Sequence, residues 1–170
     1  MAAVLTGCGF KLRQTGDYPF KTLYANFSLN SPLGSDLRRN LLGTGKIELL
    51  TDPTQMSKAD VVLDILSEVR QPVVVGLNAS GQVREMQLRL RVSFRLRTPS
   101  GDELIEPVEI YQQRDLSFTE TAALSKEIEQ AVLFRDMQLD IVQQIMRRLA
   151  AVKPRGLPVV PTPAAAASQP

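Results

Sequence analysis

The 170-residue chain has no histidine and no tryptophan, and it carries a single cysteine. Without histidine there is no Ser-His-Asp or Cys-His pair to activate a nucleophile, and no zinc site that draws on an imidazole. One thiol makes no internal disulfide and no thiolate cage. No apolar run approaches the roughly 18–20 residues of a spanning helix. The formal net charge is only +2, from 20 Lys and Arg against 18 Asp and Glu. That is too small for the electrostatic footprint of a nucleic-acid binder, so no nucleic-acid partner is implied. The acids Glu106, Glu109 and Asp115 alternate with cations along strands, which is the pattern of a solvated face and not of a paired-carboxylate centre. The chain therefore reads as a non-enzyme with no cofactor and no metal. With 44% hydrophobic and 22% charged residues, it suits one globular domain with its own core.

The cysteine is Cys8, within "MAAVLTGCGF", where no core has yet begun. Ala2 to Gly7 read as the end of an apolar signal region closing on small residues. Leu5-Thr6-Gly7-Cys8 resembles a bacterial lipobox, in which the thiol receives a diacylglycerol and cleavage makes the cysteine the first residue. A full signal has a positive segment and about 7–15 apolar residues, which residues 1–7 do not hold, so the start reads as truncated or misassigned. Each buried methylene of an acyl chain contributes roughly 0.8 kcal/mol, and several chains together hold a protein on a membrane. The expected anchor is lipid, placing the chain at a membrane without a spanning helix.

Residues 1–7 thus read as a signal remnant, 8–19 as anchor and polar tether, 20–151 as the folded domain, and 152–170 as a tail. The tail, "VKPRGLPVVPTPAAAASQP" from Val152, has a Pro/Ala composition that buries too little to fold. Within the domain, Phe20 to Leu29 reads as a strand. Ser31-Pro32 is an N-cap followed by proline at the first helical position, and Leu33, Leu37, Leu41 and Leu42 carry a short helix to a glycine stop at Gly43 and Gly45. "KIELL" is a brief strand before a turn at Asp52-Pro53. Three long strands follow, over about 60–75, 84–97 and 103–116, joined by "GLNASGQV" and "TPSGD". Asn78-Ala79-Ser80 matches a glycosylation sequon but reads as a turn. Residues 122–150 predict the longest helix, with Leu124, Ile128, Ala131, Phe134, Met137, Ile141, Ile145 and Leu149 as its core stripe. The whole is α+β: a two-layer sandwich of a mixed four- to five-stranded sheet with two helices packed on one face.

"REMQLRLRVSFRLR" (84–97) alternates strictly. Met86, Leu88, Leu90, Val92, Phe94 and Leu96 take one face; Arg89, Arg91, Arg95 and Arg97 take the other. Arginine forks bind phosphate and carboxylate in bidentate fashion, so the row reads as a platform for a phosphorylated or acidic partner. The plainer reading is neutralisation by neighbouring strands, with Glu103 opposite Arg97, Glu109 opposite Arg91, Glu68 near Arg91 and Asp64 near Arg95, each pair worth about 0.2–1 kcal/mol. In that register Tyr111 faces Arg89, leaving Arg89 the free guanidinium. On the long helix, Arg147 and Arg148 complement the helix dipole in the last turn. Arg135 lies beside the apolar stripe, and both a binding role and pairing along the helix stand open for it.

Leu5-Thr-Gly-Cys-Gly-Phe-Lys-Leu-Arg13, Ser31-Pro-Leu33 and the helix "LFRDMQLDIVQQIMRRL" (133–149) occur in an order and spacing that resemble the LptE family of lipopolysaccharide-assembly lipoproteins of Gram-negative bacteria. The resemblance runs over about 5–149. It implies a lipoprotein on the periplasmic side of the outer membrane that plugs the LptD β-barrel. With LptD it forms the translocon delivering lipopolysaccharide to the outer leaflet; it binds lipopolysaccharide, assists LptD assembly and catalyses nothing. Carried over by position, Cys8 is the lipidated cysteine and Arg135 a basic position that meets the lipid's acidic head group. A second basic position before the arginine strand has no clear counterpart in "LNASGQ"; Arg84 is the nearest cation. The lipopolysaccharide-binding candidates are therefore Arg135, Arg89, Arg91, Arg95 and Arg84. A lipid-anchored, pilotin-like module for another outer-membrane channel shares the same lipobox and small α+β body.

Overall fold

The computed structural model describes residues 17–118 and 123–153, so Cys8, most of the tether, the side chain of Leu124 and the tail beyond Lys153 lie outside it. In chain order the elements are β1 (Thr22–Asn26), α1 (Pro32–Gly43), β2 (Glu48–Leu50), a 3-10 helix (Pro53–Lys58), β3 (Val61–Leu77), β4 (Val83–Arg97), β5 (Glu103–Ser117) and α2 (Ala123–Ala150). The five strands form one sheet in the order β2-β1-β3-β4-β5. β1 runs parallel to β2 and β3, while β3, β4 and β5 form an antiparallel meander. This is the expected α+β sandwich with a mixed sheet.

Local chemistry sets the element ends. Ser31 has the extended backbone of an N-cap, and its Oγ accepts the Gly34 N–H at 3.0 Å while donating to the Ser28 carbonyl at 2.8 Å. That satisfies one of the orphan donors at the helix start and ties α1 to the loop before it. Ser31→Ala is expected to cost about 1 kcal/mol, read as a lower urea midpoint with an unchanged slope. The loop approaches so closely that Gly34 has no room for a Cβ. β1 is pinned to the start of β3 by Asp60, whose carboxylate accepts the N–H groups of Lys21 at 2.8 Å and Thr22 at 2.9 Å. In the 78–82 turn, Asn78 Oδ1 accepts from the N–H groups of Ser80 and Gln82, and Gly81 takes a positive φ of 79° that suits glycine.

The main core lies between the sheet and both helices. Leu88, Leu90, Val92, Phe94 and Leu96 of β4 are fully buried there, against Leu33, Leu37 and Leu41 of α1 and Met137, Ile141, Ile145 and Leu149 of α2. Two expectations about the helical elements change. The turn at Asp52-Pro53 continues into the 3-10 helix, because Asp52 caps it by accepting the Thr54 N–H at 2.9 Å. Met56 and the following Ala59 then cover Tyr24 and Val62 on the opposite sheet face. The apolar stripe of α2 also enters the core later than expected: Phe134 is buried, whereas Ala131 is exposed and Ile128 is 63% exposed. Among the described residues no element covers that side of the first turns of α2.

The strand registers correct the expected charge pairing. Asp64 lies opposite Arg95 and Arg97 opposite Glu103, as the pattern suggested. Arg91, however, pairs with Tyr111 and Val69, and Arg89 with Gln113 and Gln71; Glu109 faces Ser93 and Glu68 faces Val92. The reason is three slips in register. On β5 the register slips twice between Phe94 and Arg97, around Pro107, which has no N–H to offer a ladder. On β3 it slips once between Ile65 and Ser67, with Leu66 the extra residue.

Candidate functional site

The bulge at Leu66 reverses the faces of β3. Before it, Val61, Leu63 and Ile65 join the helix-side core; after it, Glu68, Arg70, Pro72 and Val74 share rows with Val92, Leu90, Leu88 and Met86. A charged pair is thereby carried under the helices. Arg70 binds Glu68 Oε1 through Nε at 2.9 Å and Nη2 at 2.8 Å, and Nη2 also donates to Gln138 Oε1 on α2. Gln138 uses its amide nitrogen to bond Asp36 Oδ2 on α1 at 2.6 Å, and Asp36 Oδ1 meets Arg39 at 3.3 Å. Glu68, Arg70, Gln138, Asp36 and Arg39 thus form one chain of polar contacts linking β3, α2 and α1. Asp36 and Gln138 are buried, so each depends on those bonds being made.

Above this chain is a cleft of about 510 Å³ between the start of α1 and the first half of α2. Ile128, Ala131 and Val132 give it an aliphatic wall, and the guanidiniums of Arg39, Arg70 and Arg135 stand around it. Arg70 and Arg39 are engaged by acids, whereas Arg135 makes no hydrogen bond or ion pair among the described residues. An apolar wall rimmed by guanidinium donors suits an amphiphile with a phosphate or carboxylate head. Sequence reading singled out Arg135 but missed Arg70, Arg39, Asp36 and Gln138. Arg70 looked like one more residue of an alternating strand, and no residue type announces the bulge that turns it over.

The other arginine candidates do not converge on this cleft. Arg89, Arg91 and Arg95 lie on the opposite, open face of the sheet. Arg95 is committed: its Nε meets Asp64 Oδ2 at 2.7 Å and its Nη1 lies 3.7 Å from Glu103. Arg97 Nε reaches the same Asp64 oxygen at 2.9 Å, and Asn26 Nδ2 donates to the other at 2.5 Å. Burial alone would raise the Asp64 carboxyl, but the hydrogen bonds from Asn26, Arg97 and Arg95 and the charge of Arg97 outweigh it and hold the pKa below the usual carboxylate range. Arg91 stacks on Tyr111, 5.6 Å from the ring centroid, and Arg89 bonds only Gln87 among the described residues, at 2.8 Å. Arg84 is exposed at the hairpin end of β4. Among the described residues no His, Cys, Asp or Glu cluster is arranged to hold a metal, and no helix is long and apolar enough to cross a membrane.

Two solved structures share this architecture. Lipoprotein B from Nitrosomonas europaea is 34% identical, with a TM-score of 0.71 over 85% of this chain and 92% of that one. The rare lipoprotein B from Shewanella oneidensis has the same fold at 20% identity, with a TM-score of 0.66 over 77% and 95%. The fold is that of a class of small α+β lipoproteins. More narrowly, the sequence model of the lipopolysaccharide-assembly family LptE matches residues 20–149, and the LPS-assembly lipoprotein LptE of Yersinia enterocolitica is 30% identical over 151 residues, 88% of this chain and 71% of that protein. The chain belongs to the LptE family.

Proposed function

We propose that the protein is the lipid-anchored partner of LptD in the outer-membrane lipopolysaccharide translocon. Cys8 carries the acyl chains that hold it to the periplasmic side of the outer membrane, and 8–19 links it to the body at 20–151, against whose core Tyr18 and Val152 also pack. The body plugs the LptD lumen and supports assembly of the barrel, and a polar open sheet face suits such a hydrated interior. The observation that carries lipopolysaccharide binding is the unpaired Arg135 guanidinium beside the aliphatic wall of Ile128 and Val132. Arg135 meets an acidic group of the lipid, with Arg70 and Arg39 flanking it. Arg89 and Arg91 offer a second contact on the open face; Arg95, already paired, and Arg84, at the hairpin end, are secondary.

The first test is co-purification from detergent-solubilised outer membranes, with the native signal restored. Stoichiometric LptD is the expected result; a different channel in its place would favour the pilotin-like role. In the same preparation, Arg135→Glu is expected to weaken lipopolysaccharide binding about tenfold or more, because a charge-assisted hydrogen bond contributes roughly 1.5–3 kcal/mol. Unchanged lipid binding would remove Arg135 from the site.

A further inference from the structure

Among the described residues the sheet has two long unpaired edges, and their chemistry differs. β5 carries Glu103, Glu106, Glu109 and Asp115 with Pro107 among them, the charges and proline that discourage pairing with another strand. The other edge belongs to β3. β1 covers it only from Val61 to Asp64, and among the described residues no strand pairs with the following stretch, as far as Leu77, on the side away from β4. Beyond Arg70 this stretch holds no charged residue, and Pro72 is the one residue that lacks a donor. Val69, Val74 and Val75 are about half exposed, and Leu77 is 59% exposed. An edge of this length and composition is a template for an incoming strand unless something covers it.

The same edge borders the cleft. Arg70 belongs to β3 and lines the cleft floor, and across from it α2 presents Ile128 and Val132, both left exposed by the overhang of the helix. A strand added to β3 would alternate its side chains between two environments. On the helix side they would meet Arg70 at the near edge of the cleft, leaving Arg135 and the aliphatic wall to the lipid; on the other they would extend the rows of Val69 and Val73.

We propose that β3, from Val69 to Leu77, accepts by strand addition an extended segment of a protein partner in which acidic and aliphatic residues alternate. Charge selects this occupant over a second copy of the chain. The cleft offers three guanidiniums against the carboxylates of Asp36 and Glu68, and two copies joined edge to edge would bring two such clusters to one seam. The inference rests on the translocon reading for the partner's identity: the segment belongs to the barrel protein that encloses the sandwich.

The test places a photo-crosslinking residue at each position from 69 to 77, one at a time, in the full-length lipoprotein co-expressed with LptD. Hydrogen exchange of the same amides is compared between the free lipoprotein and the purified complex. Crosslinks that step along one continuous acidic-aliphatic stretch of LptD, with exchange of the 69–77 amides slowed about tenfold or more, are the expected result. LptD present, with scattered crosslinks and unchanged exchange, would overturn strand addition and leave the translocon reading standing. Crosslinks to a second copy, or to lipid alone, would overturn it equally. Absence of LptD from the preparation would remove the translocon reading and this inference with it.

Discussion

Gly34→Ala is expected to destabilise the protein by about 3 kcal/mol or more, at the upper end of the cost of overpacking. A Cβ at this position would lie 1.9 Å from the Ser28 carbonyl oxygen and 2.9 Å from its carbon. Both are backbone atoms, so no side chain can swing aside to make room. The same oxygen accepts the Ser31 hydroxyl, and Ser31 Oγ accepts the Gly34 N–H, so displacing the loop also breaks the cap. In an exposed helix interior the same exchange would be stabilising, because alanine is the better helix former. The sign of the change is therefore diagnostic. Urea unfolding of the purified domain gives it directly, and a neutral or stabilising result would mean that the loop does not sit against α1.

The second large effect concerns Asp64, whose side chain is only 4% exposed and which joins Asn26 on β1 to Arg95 and Arg97 on β4. Asp64→Ala leaves two guanidiniums without their common partner. Breaking a buried pair costs about 3–5 kcal/mol; because Arg95 keeps about a third of its side chain in water, a loss near 3 kcal/mol is expected. The pH dependence has a definite sign. The folded carboxyl has a lowered pKa, so its contribution is complete above the unfolded aspartate value of about 3.9 and disappears as pH falls through the folded pKa. Asp60, where burial opposes the shift but hydrogen bonds from Thr22 and Lys21 outweigh it, adds in the same direction. Wild-type and D64A stabilities should therefore differ most at pH 6–7 and converge below about pH 4. A gap that persisted as pH fell well below that value would assign the loss to packing, not charge.

These two positions also mark how far the sequence could be read. Ser31-Pro32 named the start of α1 correctly, because capping is decided by residues within a few positions of one another. The alternation in β4 named both of its faces, since every even-numbered residue from Leu88 to Leu96 is fully buried. Gly34 gave no such signal: its constraint comes from the Ser28 carbonyl, which is brought there by a loop. The pairing of Asp64 with Arg95 could be anticipated because it lies before the Leu66 bulge, whereas the partners of Arg89 and Arg91 could not, because they lie beyond it. Ile128 shows a different limit. Its spacing fits the stripe of α2, but periodicity says which residues share a side and not whether anything stands opposite them.

The extra residue at Leu66 works as a phase switch within a single strand. The inner half of β3 keeps the polarity that folding requires, and the outer half is released from it, so Arg70 can face the helices without disturbing Leu63 or Val61. Were the bulge flattened with Leu66 kept in regular alternation, the two sides of the rest of β3 would swap, sending Val69 and Gln71 toward the cleft and turning Arg70 away. Among relatives of this chain, the side on which β3 presents its arginine, set by strand length and bulge together, is therefore a sharper marker of a shared cleft than the presence of the arginine itself.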